Sequence, residues 1–321
     1  MAGRSRLKKN TRGRRWSDPQ HGDTDKMIAI DWGTSSLRAY RLDAAGQVLA
    51  QRSSSAALLA CQGRFEAVLA EQIDGWTDRH IVMAGMIGSR NGWREVPYVA
   101  CPAGADAIAA GMLAFEAPAL PGRELFIAPG MSDRPAQGAP EVMRGEETQV
   151  LGLLDDLAGP GPHTLCLPGT HSKWITVEQG RITRIHTAMT GELYALMTQH
   201  SLLGALMDKD AGDDEAAFAR GLDASRGSGG LPNQLFSVRT LGLFGELSGA
   251  AAPSYLSGLL VGHELNGLAP ANGTVHLIGS AALTRRYERA LAARGLQAIA
   301  HAEALTARGL HRLARARGLV G

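Results

Sequence analysis

The chain has 321 residues, of which 45% are hydrophobic and 20% charged, and its formal net charge is +2. This composition is typical of a globular protein long enough for two domains. No uninterrupted apolar run approaches the ~20 residues that cross a bilayer, so no membrane partner is expected. Cys61, Cys101 and Cys166 lie far apart and form no Cys-x-x-Cys pair. They indicate a reducing compartment and no zinc site.

The first 26 residues differ from the rest of the chain, because they hold eight Lys or Arg and three Asp. The remaining chain has 25 basic and 28 acidic residues, a net charge of −3. A basic arm could bind nucleic acid, but this segment shows no helical period and no binding motif. We therefore expect a disordered extension and no nucleic-acid partner. No apolar stretch of a secretory signal follows it, and we expect a cytoplasmic protein.

From Met27 onward, segments with strand and helix periodicity alternate. In the first half the pattern predicts strands at 28–30, 37–42, 47–52, 80–86 and 124–129, and helices at 65–76 and 146–157. A Gly/Pro-rich segment at 157–163 follows, which is typical of a hinge. We therefore predict a first domain over 27–158 and a second over 159–321.

The second half begins in the same way as the first. Strands are predicted at 164–167, 173–177 and 181–186, helices at 192–200 and 255–268, and then a strand, a Gly-Ser turn and a helix over 274–291. A final strand over 296–301 and a basic amphipathic helix complete the chain. Strands that alternate with helices in this way predict an α/β fold.

Both halves carry the same turn between their first two strands, Gly-Thr-x-Ser, at 33–36 and at 169–172. A glycine follows in matching turns, at 46 and at 180. Four matching residues could arise by chance, but the repeated order of strands and turns indicates an internal duplication.

Turns rich in Gly, Thr and Ser leave backbone N–H groups free to point at an anion, and the hydroxyls add donors. Two such turns could hold the phosphates of a nucleotide from opposite sides. The residues predicted to do so are Gly33, Thr34, Ser35 and Ser36 in the first turn, and Gly169, Thr170, His171, Ser172 and Lys173 in the second. Ordinary turn chemistry is the alternative for each turn alone. A solvent-facing histidine is the alternative for His171, and an exposed strand residue the alternative for Lys173.

Asp31 directly precedes the first turn, where a carboxylate is not needed to build a hairpin. Nucleotide phosphates bind with Mg²⁺, and a carboxylate oxygen is a ligand that Mg²⁺ prefers. We therefore predict Asp31 as the metal ligand. A turn cap is the less favoured alternative.

Three motifs resemble those of the actin-like ATPase and sugar kinase superfamily. "AIDWGTSSLRAY" and "LPGTHSKWITVEQGRI" resemble its two phosphate motifs, and "VHLIGSAALTRRY", with Gly279, Ser280 and Ala281, resembles its adenosine motif. The resemblance implies two duplicated actin-like (ribonuclease H-like) domains with a nucleotide cleft between them, and ATP and Mg²⁺ as cofactors.

From about residue 27 to its end the chain more closely resembles the 2-keto-3-deoxygalactonate kinase family. The motifs include "AGMIGSRNGWREVPYVACPAG", "MRGEETQVLG", "LPGTHSKWI" and "TAMTGELYALMTQHSLLG". The resemblance implies ATP-dependent phosphorylation of the C6 hydroxyl of this sugar acid in galactonate catabolism. The alternatives are a kinase for another sugar or sugar acid, such as 2-keto-3-deoxygluconate, and a nucleotide-switched binding protein on the same fold. A homo-oligomer is left open.

The loop after the predicted strand at 80–86 is the candidate acceptor site, because ligand loops follow the carboxyl ends of parallel strands. Arg90 offers a planar fork for a carboxylate, Ser89 and Asn91 offer hydroxyl contacts, and Trp93 offers a flat apolar wall. A surface ion pair is the alternative for Arg90.

The segment "VMRGEETQVLG" is the second candidate on the acceptor side. Glutamates in a first helical turn can simply favour the helix dipole. In the related glycerol and xylulose kinases, however, a Gly-Asp-Gln segment at a similar place carries the catalytic base. The resemblance implies Glu146 as the base, with Glu147 and Asp31 as alternatives, and Arg144 as a second anion contact.

Overall fold

A computed structural model of the protein describes residues 26–302 and 305–321. The predicted extension over 1–26 therefore lies outside the described residues, except for Lys26. Within the described ranges, none of the helices combines the length and the apolar character that a membrane crossing requires.

The first half is built on a six-stranded sheet with the strand order β3-β2-β1-β4-β7-β6. Its strands are β1 (Met27–Trp32), β2 (Leu37–Leu42), β3 (Val48–Ser54), β4 (His80–Ala84), β6 (Leu113–Phe115) and β7 (Glu124–Ile127). The first three strands are antiparallel, whereas β1, β4 and β7 run parallel. Strand β1 is almost wholly buried on both faces, as its continuous apolar run predicts.

Helices and a small sheet complete the first half. The helices are α1 (Phe65–Gln72), α2 (Ala105–Ala110) and α3 (Glu146–Leu153). The small sheet has the order β5-β8-β9, with β5 (Val99–Ala100), β8 (Met131–Asp133) and β9 (Glu141–Met143). Helix α1 is shorter than predicted, because the chain turns before Gly75, whose φ is +75°.

The second half repeats the arrangement of the first. Its sheet has the order β12-β11-β10-β13-β14, with β10 (His163–Leu167), β11 (Ser172–Glu178), β12 (Arg181–Ala188), β13 (Thr274–Ile278) and β14 (Gln297–His301). Three antiparallel strands again precede two parallel ones. The structure thus confirms the predicted α/β fold of two duplicated actin-like domains.

Six helices are described in the second half. They are α4 (Thr190–His200), α5 (Glu215–Ala224), α6 (Gly230–Leu243), α7 (Ala252–Leu268), α8 (Ala281–Ala292) and α9 (Leu305–Arg317). Helix α7 is apolar around most of its circumference and is largely buried. Helix α9 packs against α3 and the first sheet rather than the second. At Gly309 a Cβ would stand 1.8 Å from the carbonyl oxygen of Thr148, so this packing requires glycine.

Strand β12 joins the two halves. Ala103 and Ile182 exchange backbone hydrogen bonds of 3.0 and 2.9 Å. The buried carboxylate of Asp133, on β8, accepts from the backbone N–H of Ile185 at 3.0 Å and lies 3.1 Å from Nε of Arg184. Strand β12 of the second half is therefore bonded to two segments of the first half, at Ala103 and at Asp133.

Candidate active site

Asp31 lies near the carboxyl end of β1, where it is in register with Arg38 of β2 and Ala84 of β4. One oxygen of its carboxylate is 3.7 Å from Nη1 of Arg38, and 20% of the side chain is exposed. No group of three His, Cys, Asp or Glu side chains within 26–302 and 305–321 is arranged to hold a metal. Asp31 nevertheless fits Mg²⁺, which commonly binds through one or two carboxylates and substrate phosphates.

The first turn is closed by a hydrogen bond from the Gly33 N–H to the carbonyl oxygen of Ser36, at 2.9 Å. Thr34 and Ser35 are exposed at its tip, whereas Ser36 is half-buried. The hydroxyls of Thr34 and Ser35 are therefore accessible to an anion, while the Gly33 N–H is already used.

The second turn is held by the start of helix α4. The Glu192 N–H donates to the carbonyl oxygen of Thr170 at 2.9 Å, and the Glu192 carboxylate pairs with the imidazole of exposed His171. At Gly191 a Cβ would stand 2.3 Å from the carbonyl oxygen of Gly169. These contacts with α4 thus order the turn at Gly169 and Thr170, and the His171 imidazole is paired with the Glu192 carboxylate.

Ser172 differs from its counterpart in the first turn, because it is fully buried. Its hydroxyl is 3.0 Å from the hydroxyl of Tyr287, which in turn donates to Glu264 at 2.7 Å. Glu264 also accepts from the indole N–H of Trp174 at 2.8 Å and from Thr190. Burial raises the pKa of the Glu264 carboxyl, against these hydrogen bonds. This placement argues against Ser172 as a direct phosphate contact and makes it a support for the turn.

Sequence reasoning missed Glu264. The only signal is a single acid within the apolar run "SYLSGLLVGHEL". A charged residue in such a run must be paired or hydrogen-bonded when it is buried. It therefore could have been identified as a network residue, but not as a support of this turn.

The predicted adenosine motif lies beside the second turn, because β10 and β13 are neighbouring parallel strands. A Cβ at Gly279 would stand 3.5 Å from the carbonyl oxygen of Pro168. Ser280 is exposed and Ala281 begins helix α8. A small cavity opens next to them, lined among others by Gly169, Tyr194, Leu283 and Arg286. Tyr194 and Arg286 were not predicted as ligand contacts, although both lie within motifs that the sequence analysis quotes.

Helix α3 begins at the carboxyl ends of β1 and β4. Its N-cap, Gly145, has φ +111°, and a Cβ there would stand 3.3 Å from the Cα of Gly85. Glu146 is half-buried, and one of its carboxylate oxygens accepts from the Arg144 N–H at 3.0 Å. Burial raises the pKa of Glu146, and the nearby charge of Lys173 is the largest opposing influence. The pKa of Glu146 therefore depends on the charge of Lys173, a residue of the second half.

Glu147 is fully buried, and both of its carboxylate oxygens accept from the Gly145 N–H, at 2.9 and 2.7 Å. Burial first, and then the charge of Glu146, raises the pKa of Glu147 to about 8. An acceptor hydroxyl has no access to this carboxyl. Its position argues against Glu147 as the base.

Lys173 is buried, so the alternative of an exposed strand residue is wrong. Its ammonium group donates to the carbonyl oxygen of Val142 at 2.8 Å and to the hydroxyl of Thr187 at 3.0 Å. Burial lowers the pKa of Lys173, and the charges of Glu146 and Glu141 oppose this. Two of its three donors therefore tie β11 of the second half to β9 of the first and to β12.

The acceptor loop departs from the prediction in two places. The Arg90 side chain is 86% exposed and lies 3.7 Å from a carboxylate oxygen of Glu95, which is the surface ion pair of the alternative. Trp93 packs among aromatic core residues, with Phe65 stacked at 6.4 Å and Phe115 edge-on at 5.0 Å between ring centroids. Neither side chain is placed to line the cleft, because one points to solvent and the other to the core.

The other candidates on the acceptor side have different surroundings. Asn91 is exposed, whereas the hydroxyl oxygen of Ser89 is buried. The Arg144 guanidinium donates from Nη2 to the carbonyl oxygen of Val96 at 2.7 Å and lies 4.4 Å from the centre of the Tyr98 ring. Arg144 therefore contacts the loop that carries Ser89, whereas Arg90 points to solvent.

Comparison with known proteins identifies a family model and relatives that this chain matches. The family model described as 2-keto-3-deoxy-galactonokinase matches residues 31–313. A 2-dehydro-3-deoxygalactonokinase of Escherichia coli (strain K12) is 35% identical over 286 residues, which cover 87% of this chain and 94% of the relative. A protein of Rhizobium meliloti (strain 1021), named provisionally for the same activity, is 37% identical over 280 residues, covering 84% and 89%.

A solved structure is also similar. The crystal structure of a Sinorhizobium meliloti protein, again named provisionally as a 2-dehydro-3-deoxygalactonokinase, has a TM-score of 0.82 and 34% identity. The match covers 90% of this chain and 98% of that chain. With a family model and relatives that each match most of its length, the chain belongs to the 2-keto-3-deoxy-galactonokinase family.

Proposed function

We propose that the protein is a cytoplasmic kinase that transfers the γ-phosphoryl group of ATP to the C6 hydroxyl of 2-keto-3-deoxygalactonate in galactonate catabolism. Family membership supports the substrate class. The observation that carries the chemistry is the position of Glu146, a carboxylate of the first half that lies within electrostatic reach of Lys173 and His171 beside the second turn.

Glu146 is the proposed general base. As the acceptor oxygen attacks the γ-phosphorus, its proton passes to the Glu146 carboxylate. The bond between the γ-phosphorus and the bridging oxygen breaks, and its electron pair leaves with ADP. Phosphoryl transfer depends mainly on position and electrostatics. A carboxylate whose pKa is raised by burial holds the proton more readily than an exposed one, while Lys173 favours its ionised form before the reaction.

The nucleotide is proposed to lie between the two turns. The exposed Thr34 and Ser35 of the first turn and Gly169 and Thr170 of the second would contact its phosphates. Asp31 would hold Mg²⁺, which neutralises phosphate charge when bound. Gly279, Ser280 and Ala281 would lie along the adenosine, with Tyr194 and Arg286 at the adjoining cavity.

Two units divided near residue 158 are part of the same proposal. Because α9 packs on the first sheet, we propose to count that helix with the first unit, so that the second extends to about residue 302 rather than to 321. Closure of the two units over the nucleotide would exclude water, which competes with the sugar acid as acceptor.

Product analysis tests this proposal. The protein is incubated with Mg·ATP and 2-keto-3-deoxygalactonate, 2-keto-3-deoxygluconate or galactonate, and the products are examined by phosphorus and carbon NMR. We expect a phosphate monoester at C6 of the first acid, in amounts equal to the ADP formed. Preferential phosphorylation of 2-keto-3-deoxygluconate would instead identify that epimer as the substrate. ATP hydrolysis without formation of a phosphate ester would contradict the kinase function and favour the nucleotide-switched binding protein.

A further inference from the structure

Three buried polar atoms without a hydrogen-bond partner belong to Ser89 of the acceptor loop and to Arg144, which contacts that loop. In the part of the chain that the structure describes, five buried side-chain atoms lack a partner. Three of them are the hydroxyl oxygen of Ser89 and the Nε and Nη1 atoms of Arg144. A Cβ at Gly88, the residue before Ser89, would stand 2.9 Å from Nη1 of Arg144. The guanidinium therefore lies directly against this loop.

Unpaired donors of a buried charged group destabilise a folded protein, because they lose water without gaining a partner. Native structures rarely leave such groups unsatisfied without a functional reason. Arg144 retains unused donors on two of its nitrogens, and the neighbouring serine can donate as well as accept. A ligand that matches this set carries negative charge and accepts several hydrogen bonds, which describes a carboxylate or a phosphate.

We propose that Arg144 and Ser89 bind the C1 carboxylate of the sugar-acid substrate. This inference rests on the proposed function. In it, Arg144 takes the place of Arg90, which the sequence predicted as the carboxylate contact. A carboxylate is favoured over a nucleotide phosphate because the group lies in the loop after β4, against Gly88 and Val96 of the first half. The candidate phosphate contacts Thr34, Ser35 and Thr170 lie on the two turns instead.

The Arg144 guanidinium is held by a hydrogen bond on one side and covered by an aromatic ring on the other. Its Nη2 donates to the carbonyl oxygen of Val96, and the Val96 N–H donates to the carbonyl oxygen of Gly88 at 3.0 Å. The aromatic ring of Tyr98 covers the guanidinium and is 44% exposed. The partly exposed ring would therefore have to move aside for the carboxylate to enter.

The same short segment also supplies the base. The Arg144 N–H donates to the carboxylate of Glu146, two residues further on. The acid group of the substrate and its reacting hydroxyl are at opposite ends of the molecule. One rigid helix start therefore positions both ends, which explains how the enzyme selects an acid and a terminal hydroxyl together.

Two variants test this site without relying on overall activity alone. Arg144→Met keeps the aliphatic stem but removes every donor of the guanidinium. Ser89→Ala removes a hydroxyl that has no partner in the free protein, so its melting temperature should equal or exceed that of the wild type. The values to compare are kcat/KM for 2-keto-3-deoxygalactonate and for its neutral C1 amide, together with KM for ATP.

We expect the wild type to prefer the acid strongly and Arg144→Met to lose about 10- to 100-fold in kcat/KM for the acid. The variant should lose little for the amide, so that its preference falls towards one. Ser89→Ala should lose several-fold for the acid at unchanged stability. KM for ATP should not change in either variant. An unchanged preference in Arg144→Met, or a rise confined to KM for ATP, would overturn the carboxylate site.

A binding measurement separates this inference from the proposed function. Calorimetry without ATP compares the affinity of the wild type and of Arg144→Met for 2-keto-3-deoxygalactonate. If the wild type binds the acid tightly and Arg144→Met does not, but the wild type shows no turnover with ATP, the carboxylate site is retained and the kinase function is rejected. Equal binding by both proteins would overturn the site even if the kinase is active.

Discussion

Gly145 and Gly85 approach each other so closely that a Cβ at Gly145 would stand 3.3 Å from the Cα of Gly85. Gly145 also has a φ of +111°, which other residues rarely adopt. This contact places the start of α3, with Glu146, directly on the strand end that is in register with Asp31. The glycine contact thus fixes where Glu146 lies relative to the strand end beside Asp31.

Replacement of Gly145 should therefore damage both stability and catalysis. For Gly145→Ala we expect a loss of about 1–3 kcal/mol in the free energy of unfolding and a decrease of about 10²-fold in kcat, because Glu146 is displaced. Gly122→Ala is the matched control, since Gly122 has a φ of +74° but no atom near its Cβ position. It should lose stability and keep kcat. Equal kcat values in both variants would show that the glycine contact does not position the base.

Gly279→Ala should affect ATP binding without affecting the fold. A Cβ at Gly279 meets its nearest atom at 3.5 Å, which is ordinary contact, but it projects beside the proposed adenosine site. We expect an unchanged melting temperature and an increase of about 10-fold or more in KM for ATP, from the crowding of one methyl group. Gly191→Ala makes the contrast, because its Cβ would stand 2.3 Å from the carbonyl oxygen of Gly169 and should destabilise the protein. Normal ATP binding by Gly279→Ala would place the adenosine elsewhere.

The buried carboxyl of Glu147 should make stability depend on pH. Its pKa is raised from 4.5 to about 8, so between these values the folded protein keeps a proton that the unfolded chain releases. Stability from this group is full below about pH 4.5 and is lost as the pH rises through about 8. Urea unfolding of the wild type and of Glu147→Gln at several pH values should show the variant gaining relative stability with rising pH. A constant difference between the two proteins would mean that the pKa of Glu147 is not raised in the folded state.

Arg90→Ala should be almost silent, because the Arg90 side chain is 86% exposed and pairs only across the surface with Glu95. We expect kcat/KM for the sugar acid to stay within about twofold of the wild type, since surface substitutions away from a site rarely exceed 0.5 kcal/mol. The measurement is a steady-state titration of the acceptor at saturating ATP. A tenfold decrease would return Arg90 to the acceptor site.

The duplicated fold was predictable because its signal is repeated: the same turn and the same strand order occur twice. Short elements such as α2, β5 and β8 were not, since two to six residues carry no usable periodicity. Within the site, nothing in the sequence distinguishes Arg90 from Arg144. In the structure, Arg90 forms an exposed ion pair, whereas Arg144 has buried donors without a partner. Ser36 and Ser172 likewise occupy the same position of the repeated motif, but only Ser172 is fully buried and lies beside Tyr287.

The central claim is that Glu146 takes the proton during transfer to a sugar acid. Its most direct test is acceptor-dependent ADP formation by the wild type, Glu146→Gln and Glu147→Gln, all with Mg·ATP and 2-keto-3-deoxygalactonate. We predict a decrease of about 10²- to 10⁴-fold in kcat for Glu146→Gln, with KM for ATP unchanged, and near-normal turnover for Glu147→Gln. Full activity of Glu146→Gln, or ADP formation that is indifferent to the acid, would contradict the account.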